Sequence, residues 1–134
     1  ALTGINSIMP NPGTGAPTST PQEVLFLVSD GVEDEDVNGN RQQSVFNTNL
    51  CTTIKNRGIR IAVLYTTYLP LPATGLGSNS WYNTYIAPFQ ANIGPTMESC
   101  ASPGLYFQVS PSQGIPEAMT QLFQQAVQTA RLTQ

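Results

Sequence analysis

The stretch Val24 to Gly31, VLFLVSDG, constrains the fold most. It is an apolar run bounded by a Pro-rich segment on one side and an Asp-Gly pair on the other. A run of this length and kind suits a parallel β-strand covered on both faces. A second such run, Ile59 to Thr66 (IRIAVLYT), is rich in branched residues and predicts another strand. Leu105 to Val109 (LYFQV) predicts a third.

The segments between these strands carry helical spacing. Phe46, Leu50 and Ile54 recur every four residues within Val45 to Arg57, and Gly58 is placed to stop that helix. Trp81 to Ile93 predicts a helical piece kinked or restarted near Pro88. Ile115 to Leu132 predicts the last helix, with Ile115, Met119, Leu122, Phe123, Ala126 and Ala130 as its apolar stripe. Ala1 to Met9 reads as the tail of a helix stopped by Pro10, and Asn11 to Pro21 as a surface connection. Asp30 to Gln43 is polar and acidic and is expected to be a loop. Strict strand–helix alternation argues for an α/β domain, a three-layer Rossmann-like parallel sheet with helices on both faces. The 134 residues form a single domain on this reading: residues 1–22 are helix tail and linker, and residues 23–134 are the core. A chain that opens on a helix tail without Met is expected to be a processed, trimmed or engineered product, incomplete at its amino-terminal side.

Composition narrows the function. The chain is 40% hydrophobic and only 10% charged, against about a quarter charged in ordinary soluble domains. An uncharged polar surface is common in exported proteins. Net charge is -3 and only five residues are cationic, so nucleic acid is not an expected partner. Histidine is absent, which removes the commonest general base and transition-metal ligand. No apolar run approaches the roughly 18 residues that span a bilayer. Membrane attachment would therefore come only through a segment outside this sequence.

Four constellations could carry chemistry. Ser29-Asp30-Gly31 ends the first strand, where open α/β sheets bind ligands, and Asp30 could hold a divalent cation or simply start a turn. Five of the eight acids lie between Asp30 and Asp36. Within them, Asp34, Asp36 and Asn38 alternate before Gly39, as in the first half of a calcium loop. The twelfth position of that pattern is Val45, not Glu. Cys51 and Cys100 form either one disulfide or two buried thiols, and they are not a close pair of the zinc or redox kind. The aromatics Tyr65, Tyr68, Trp81, Tyr82, Tyr85 and Phe89 flank a long loop, Thr67 to Ser80. With Leu69 and Leu71 they form a recognition surface or anchor the loop to the domain. Tyr68, Leu69, Leu71, Trp81 and Tyr82 are the candidate binding residues. The glycine-rich run ATGLGSNS lacks the strand–glycine–helix context of a phosphate loop. No nucleophile–base pair or dinucleotide fingerprint is present, so no enzyme is expected.

These segments resemble a known family. VLFLVSDG resembles the fourth strand of von Willebrand factor type A domains, GIRIAVLYT the following strand, and CASPGLYFQVS with its helix the last strand and helix. More narrowly, CTTIKNRGIRIAVLYTTYLPLP, WYNTYIAPF, SCASPGLYFQVS and the closing ARLTQ resemble the carboxyl half of TadG-type proteins of bacterial tight-adherence (Flp) pilus assembly. The resemblance covers Pro21 to Gln134. It implies a type A-like domain lacking its amino-terminal part. It also implies a non-enzymatic adhesion or protein–protein interaction module of the cell envelope, periplasmic or extracellular.

Type A domains bind Mg²⁺ or Ca²⁺ through an Asp-x-Ser-x-Ser motif, a Thr and a later Asp. Asp30 matches the later Asp, and the Asp-x-Ser-x-Ser motif is not found here. Asp30 is therefore expected either to be a partial metal ligand, completed by the missing amino-terminal part, or to hold no metal at that site. The expected partner is that missing part or another pilus or envelope protein. Self-association through the bare sheet edge is the alternative. A small ligand-binding or regulatory α/β domain is the alternative function. A receiver would need an acidic pair after its first strand and a Lys after its last, and no Lys follows Lys55.

Overall fold

The computed structural model describes residues 1–16, 19–72, 79–110 and 114–132, with backbone alone for 130–132. Its order is α1 (Leu2–Ile8), β1 (Val24–Ser29), β2 (Val32–Val37), β3 (Asn40–Val45), α2 (Thr48–Asn56), β4 (Arg60–Thr66), α3 (Ser80–Tyr85), α4 (Gln90–Cys100), β5 (Tyr106–Val109) and α5 (Ile115–Leu132).

The three apolar runs form one parallel sheet in the order β1-β4-β5. β4 is central, and Ile61 through Tyr65 are all buried. Its side chains alternate between two cores, as period-two geometry requires. Ile61, Val63 and Tyr65 pack with Cys51, Ile54, Ile93, Met97 and Cys100 under α1, α2 and α4. Ala62 and Leu64 pack with Leu105, Leu122 and Ala126 under α5. The mixed α/β architecture, with helices on both faces of a parallel sheet, is as the alternation predicts.

Helix ends follow their sequence signals. The Asn47 side chain caps α2 by accepting from Asn49 N–H at 3.0 Å. Gly58, at φ +86°, ends it. Lys55 Nζ reaches across to Ser99 C=O at 2.8 Å, at the carboxyl end of α4. Arg57 donates to Met9 C=O at 2.6 Å and to Asn6 Oδ1 at 2.7 Å, which ties α1 to the end of α2. Cys51 of α2 and Cys100 of α4 form a fully buried disulfide with Cα atoms 5.2 Å apart. The alternative of two free thiols is thereby set aside.

Four expectations need correction. First, Asp30 to Gln43 is not a loop: β2 and β3 form an antiparallel hairpin. Asn38 (φ 56°) and Gly39 (φ 79°) form its tip. Positive φ at both central residues is what a type I′ hairpin turn demands, and Asn-Gly meets it. Second, among the described residues β1 is an edge strand and its cover is incomplete: Leu25 and Leu27 pack on one core and Val24 and Phe26 on the other, but Val28 is left open. α5 lies chiefly over β4 and β5 and reaches β1 through Phe123 on Phe26, and Val28 stays 49% exposed. Third, the helical piece from Trp81 restarts at Ile86–Phe89, near Pro88 as expected, but its second helix does not end at Ile93: it continues to Cys100 with Pro95 inside it. On α5, Phe123 points outward at 57% exposure rather than joining the buried stripe.

Candidate functional site

The carboxyl ends of β1 and β4 open onto a cleft of about 310 Å³ lined by Asp30, Thr66, Thr67, Tyr68, Leu69 and Leu71. A larger cleft of about 590 Å³ shares Thr67 and Tyr68 with it and continues to Tyr65, Gln90, Gly94 and Gln108. The site therefore lies where parallel α/β sheets leave their strand ends open.

Hydrogen bonds fix its walls. Thr67 N–H donates to Val109 C=O at 2.8 Å and its hydroxyl donates to the same oxygen at 3.1 Å. Gln108 Nε2 donates to Thr67 Oγ1 at 3.3 Å. Tyr68 is held twice: its N–H meets the Tyr65 hydroxyl, and its C=O accepts from Gln90 Nε2 at 3.0 Å. The rings of Tyr68 and Tyr82 stack at 6.3 Å, and the Tyr82 hydroxyl bonds Gln90 Oε1. Burial first, then the charge of Asp30, raises the Tyr68 phenol above its ordinary value.

The five candidate binding residues thus divide by role. Tyr68 and Tyr82 anchor the loop; Tyr82 is buried. Leu69 and Leu71 stand exposed beside Asp30. Trp81 belongs to a different place: it lies 5.7 Å from Tyr85, under the Arg41 guanidinium at 5.3 Å, in a cleft on the hairpin side. Residues 73–78, the glycine-rich part of the loop, lie outside the described residues. Sequence reasoning passed over Gln90 and Gln108, whose only signal was amide chemistry next to helix and strand ends.

The acidic residues are also separated. Asp30 Oδ1 accepts from Val32 N–H at 3.2 Å, and Ser29 Oγ accepts from Gly31 N–H at 3.0 Å, so this turn is closed by its own side chains. Asp34 is held by Arg41, whose Nε donates to it at 2.8 Å; that hydrogen bond lowers its pKa. Asp36 accepts from Gly39 N–H at 2.7 Å. Asp34, Asp36 and Asn38 therefore sit on a hairpin and its turn, not on a cation-wrapping loop. Among the described residues, no group of three or more His, Cys, Asp or Glu is placed to hold a metal. Beside Asp30, the side-chain oxygens in the cleft are those of Thr66, Thr67 and Tyr68. Magnesium requires six ligands, so these residues do not fit the ion by themselves.

Among the described residues, no helix is long and apolar enough to cross a membrane. Comparison with protein-family models, curated proteins and solved structures found no match to this chain.

Proposed function

We propose that this chain is a non-catalytic protein-interaction module of a bacterial cell-envelope protein, and that it holds its partner at the carboxyl end of its sheet. The observation that carries this reading is the pair Leu69 and Leu71, exposed at 56% and 42% beside Asp30. They project from a segment that the Tyr68–Tyr82 stack and Gln90 already hold in place. Apolar side chains on a pre-ordered segment lose little entropy on binding. The buried disulfide supports an oxidising, non-cytoplasmic compartment.

A parallel sheet with helices on both faces and an aspartate at a strand's carboxyl end supports the type A-like, TadG-type reading. The partner is then the amino-terminal part of the parent protein or another pilus-assembly protein. A divalent cation at Asp30 would take its remaining oxygen ligands from that partner.

Photo-crosslinking tests the contact. A photoreactive residue at position 69, presented to an envelope extract, is expected to trap a discrete protein that excess unlabelled chain displaces. Capture that is unchanged by Leu71→Asp, or no capture, sinks the reading.

A further inference from the structure

A separate cleft of about 310 Å³ lies between the hairpin and α3, lined by Gly39, Asn40, Arg41, Gln43, Trp81 and Tyr85. It shares no residue with the cleft beside Leu69 and Leu71. Its volume falls at the lower end of small-ligand sites, roughly 300–1,000 Å³.

Helical spacing builds one wall. Tyr82 and Ile86, four apart, are buried. Trp81 and Tyr85, also four apart, share the neighbouring flank of α3. They stay 38% and 48% exposed. Their rings lie 5.7 Å apart and are tilted by 44°, so neither caps the other's face as a parallel stack would.

The hairpin builds the other wall. Arg41 and Gln43 lie two apart on β3 and so share one face of it. Asp34 holds both: it accepts from Nε and Nη2 of Arg41, and from Nε2 of Gln43 at 3.4 Å. That leaves Arg41 Nη1 as a donor and Gln43 Oε1 as an acceptor. Asn40 donates its Nδ2 to Asn38 C=O at 3.5 Å and keeps Oδ1 as an acceptor. The guanidinium also lies 5.3 Å from the Trp81 ring centre, which clamps α3 to the hairpin. The clamp accounts for the place of Trp81 and leaves the Tyr85 ring open.

Chemistry and charge select the occupant. A pyranose ring presents apolar C–H faces, which suit the electron-rich face of an aromatic ring. Its edge carries adjacent hydroxyls, each a donor and an acceptor, which suit planar guanidinium and amide groups. A purely apolar ligand would strip water from the guanidinium and both amides without replacing it. An anion gains little, because Asp34 already pairs with Arg41 and Asp36 stands opposite it in the ladder. We propose that this cleft binds a neutral saccharide, with a pyranose ring on Tyr85 and its hydroxyls on Arg41, Gln43 and Asn40.

Trp81 is the single tryptophan of the chain, so its fluorescence and its indole N–H resonance report this cleft. Cellobiose, maltose and diacetylchitobiose serve as probes, with digalacturonate as the anionic comparison. At least one neutral disaccharide should shift the Trp81 signals saturably, with a Kd on the order of 1 mM or below. Digalacturonate should bind less tightly. Tyr85→Ala should weaken binding about tenfold, and Tyr85→Phe should keep it. Gln43→Ala, on the opposite wall, should weaken it severalfold, with circular dichroism checking that each variant folds. No saturable response to any neutral probe overturns the proposal, as does tighter binding of digalacturonate. So does a response that glycerol reproduces, or an affinity indifferent to the folded variants at Tyr85 and Gln43.

Discussion

Gly31 packs directly against Ile93: a Cβ placed on Gly31 would run into Ile93 Cγ2 and come within 2.9 Å of Met97 Cγ. Its φ of +78° is a second reason for glycine. The turn after β1 is thereby pressed onto α4, which positions Asp30 at the cleft. Gly31→Ala should destabilise the fold by at least about 2 kcal/mol, from left-handed strain plus overpacking. Urea denaturation checks this, and a neutral variant would show that α4 yields easily.

Among the described residues, no group of three or more acidic, Cys or His side chains gathers around a cation position. Calorimetric titration of the chain with Mg²⁺ or Ca²⁺ is expected to show no saturable heat at concentrations below roughly 1 mM. Saturable binding lost in Asp30→Ala would assign a site to the strand end. Binding lost only in Asp34→Ala and Asp36→Ala would assign it to the hairpin.

Replacing both Cys51 and Cys100 by Ala should cost about 3–4 kcal/mol on the chain-entropy account of a closed loop of this length. Their sequence separation is 49 and both are fully buried. Thermal unfolding with and without reductant measures the effect. Indifference to reductant would mean that packing of α2 on α4 suffices.

The hairpin carries its own pH signature. Asp34 has its pKa lowered from 3.8, first by the Arg41 hydrogen bond. A depressed folded-state value means that the stabilisation is fully present above about pH 4 and is lost as pH falls through the folded pKa. The pair is exposed, so the effect should shrink in high salt. Carboxyl NMR should place the Asp34 midpoint below 3.8, and Arg41→Ala should return it toward that value. An unmoved midpoint would show that the pair does not persist in solution.

At the other extreme of pH, the Tyr106 phenol is pushed up to about 12 by burial, then by the Glu98 charge and Tyr65. Its ordinary value is 10.0. A raised tyrosine favours the neutral folded form, so this contribution holds below pH 10 and drains away as pH rises toward 12. Ultraviolet titration should show a late-ionising tyrosine that Tyr106→Phe removes. Complete ionisation near pH 10 contradicts the burial account.

The strands and the last helix were legible because their signals are local. VLFLV, IRIAVLYT and LYFQV are branched and apolar enough to be strands in almost any context, and α5 matched its predicted span. What covers β1 was not legible. An apolar run tells of burial on average, but how far α5 reaches across β1, so that Phe26 is met and Val28 is not, is a tertiary outcome. The hairpin was missed for a different reason. Asn38-Gly39 is a strong turn signal, but the acidic run and the low strand propensity of Asn40 to Ser44 outweighed it. Cross-strand pairing, with Asp36 opposite Arg41 and Asp34 bonded to Arg41, supplies what propensity lacks. At the site, the position of Asp30 followed from strand order. The clamp of Tyr68 by Gln90 joins residues 22 apart, and no periodicity announces it.

The Cys51–Cys100 bond has a mechanical consequence. The sequence it spans contains all of β4, the strand to which both neighbours are hydrogen-bonded. Under tension between the chain ends, the 49 residue steps it shunts cannot lengthen. On the order of 160–175 Å of contour is withheld from extension. Pulling would peel away β1 with its hairpin on one side and α5 on the other, while a knot-like middle stays short. A shearing load would thus meet a tether of fixed maximum reach until a reductant releases the rest.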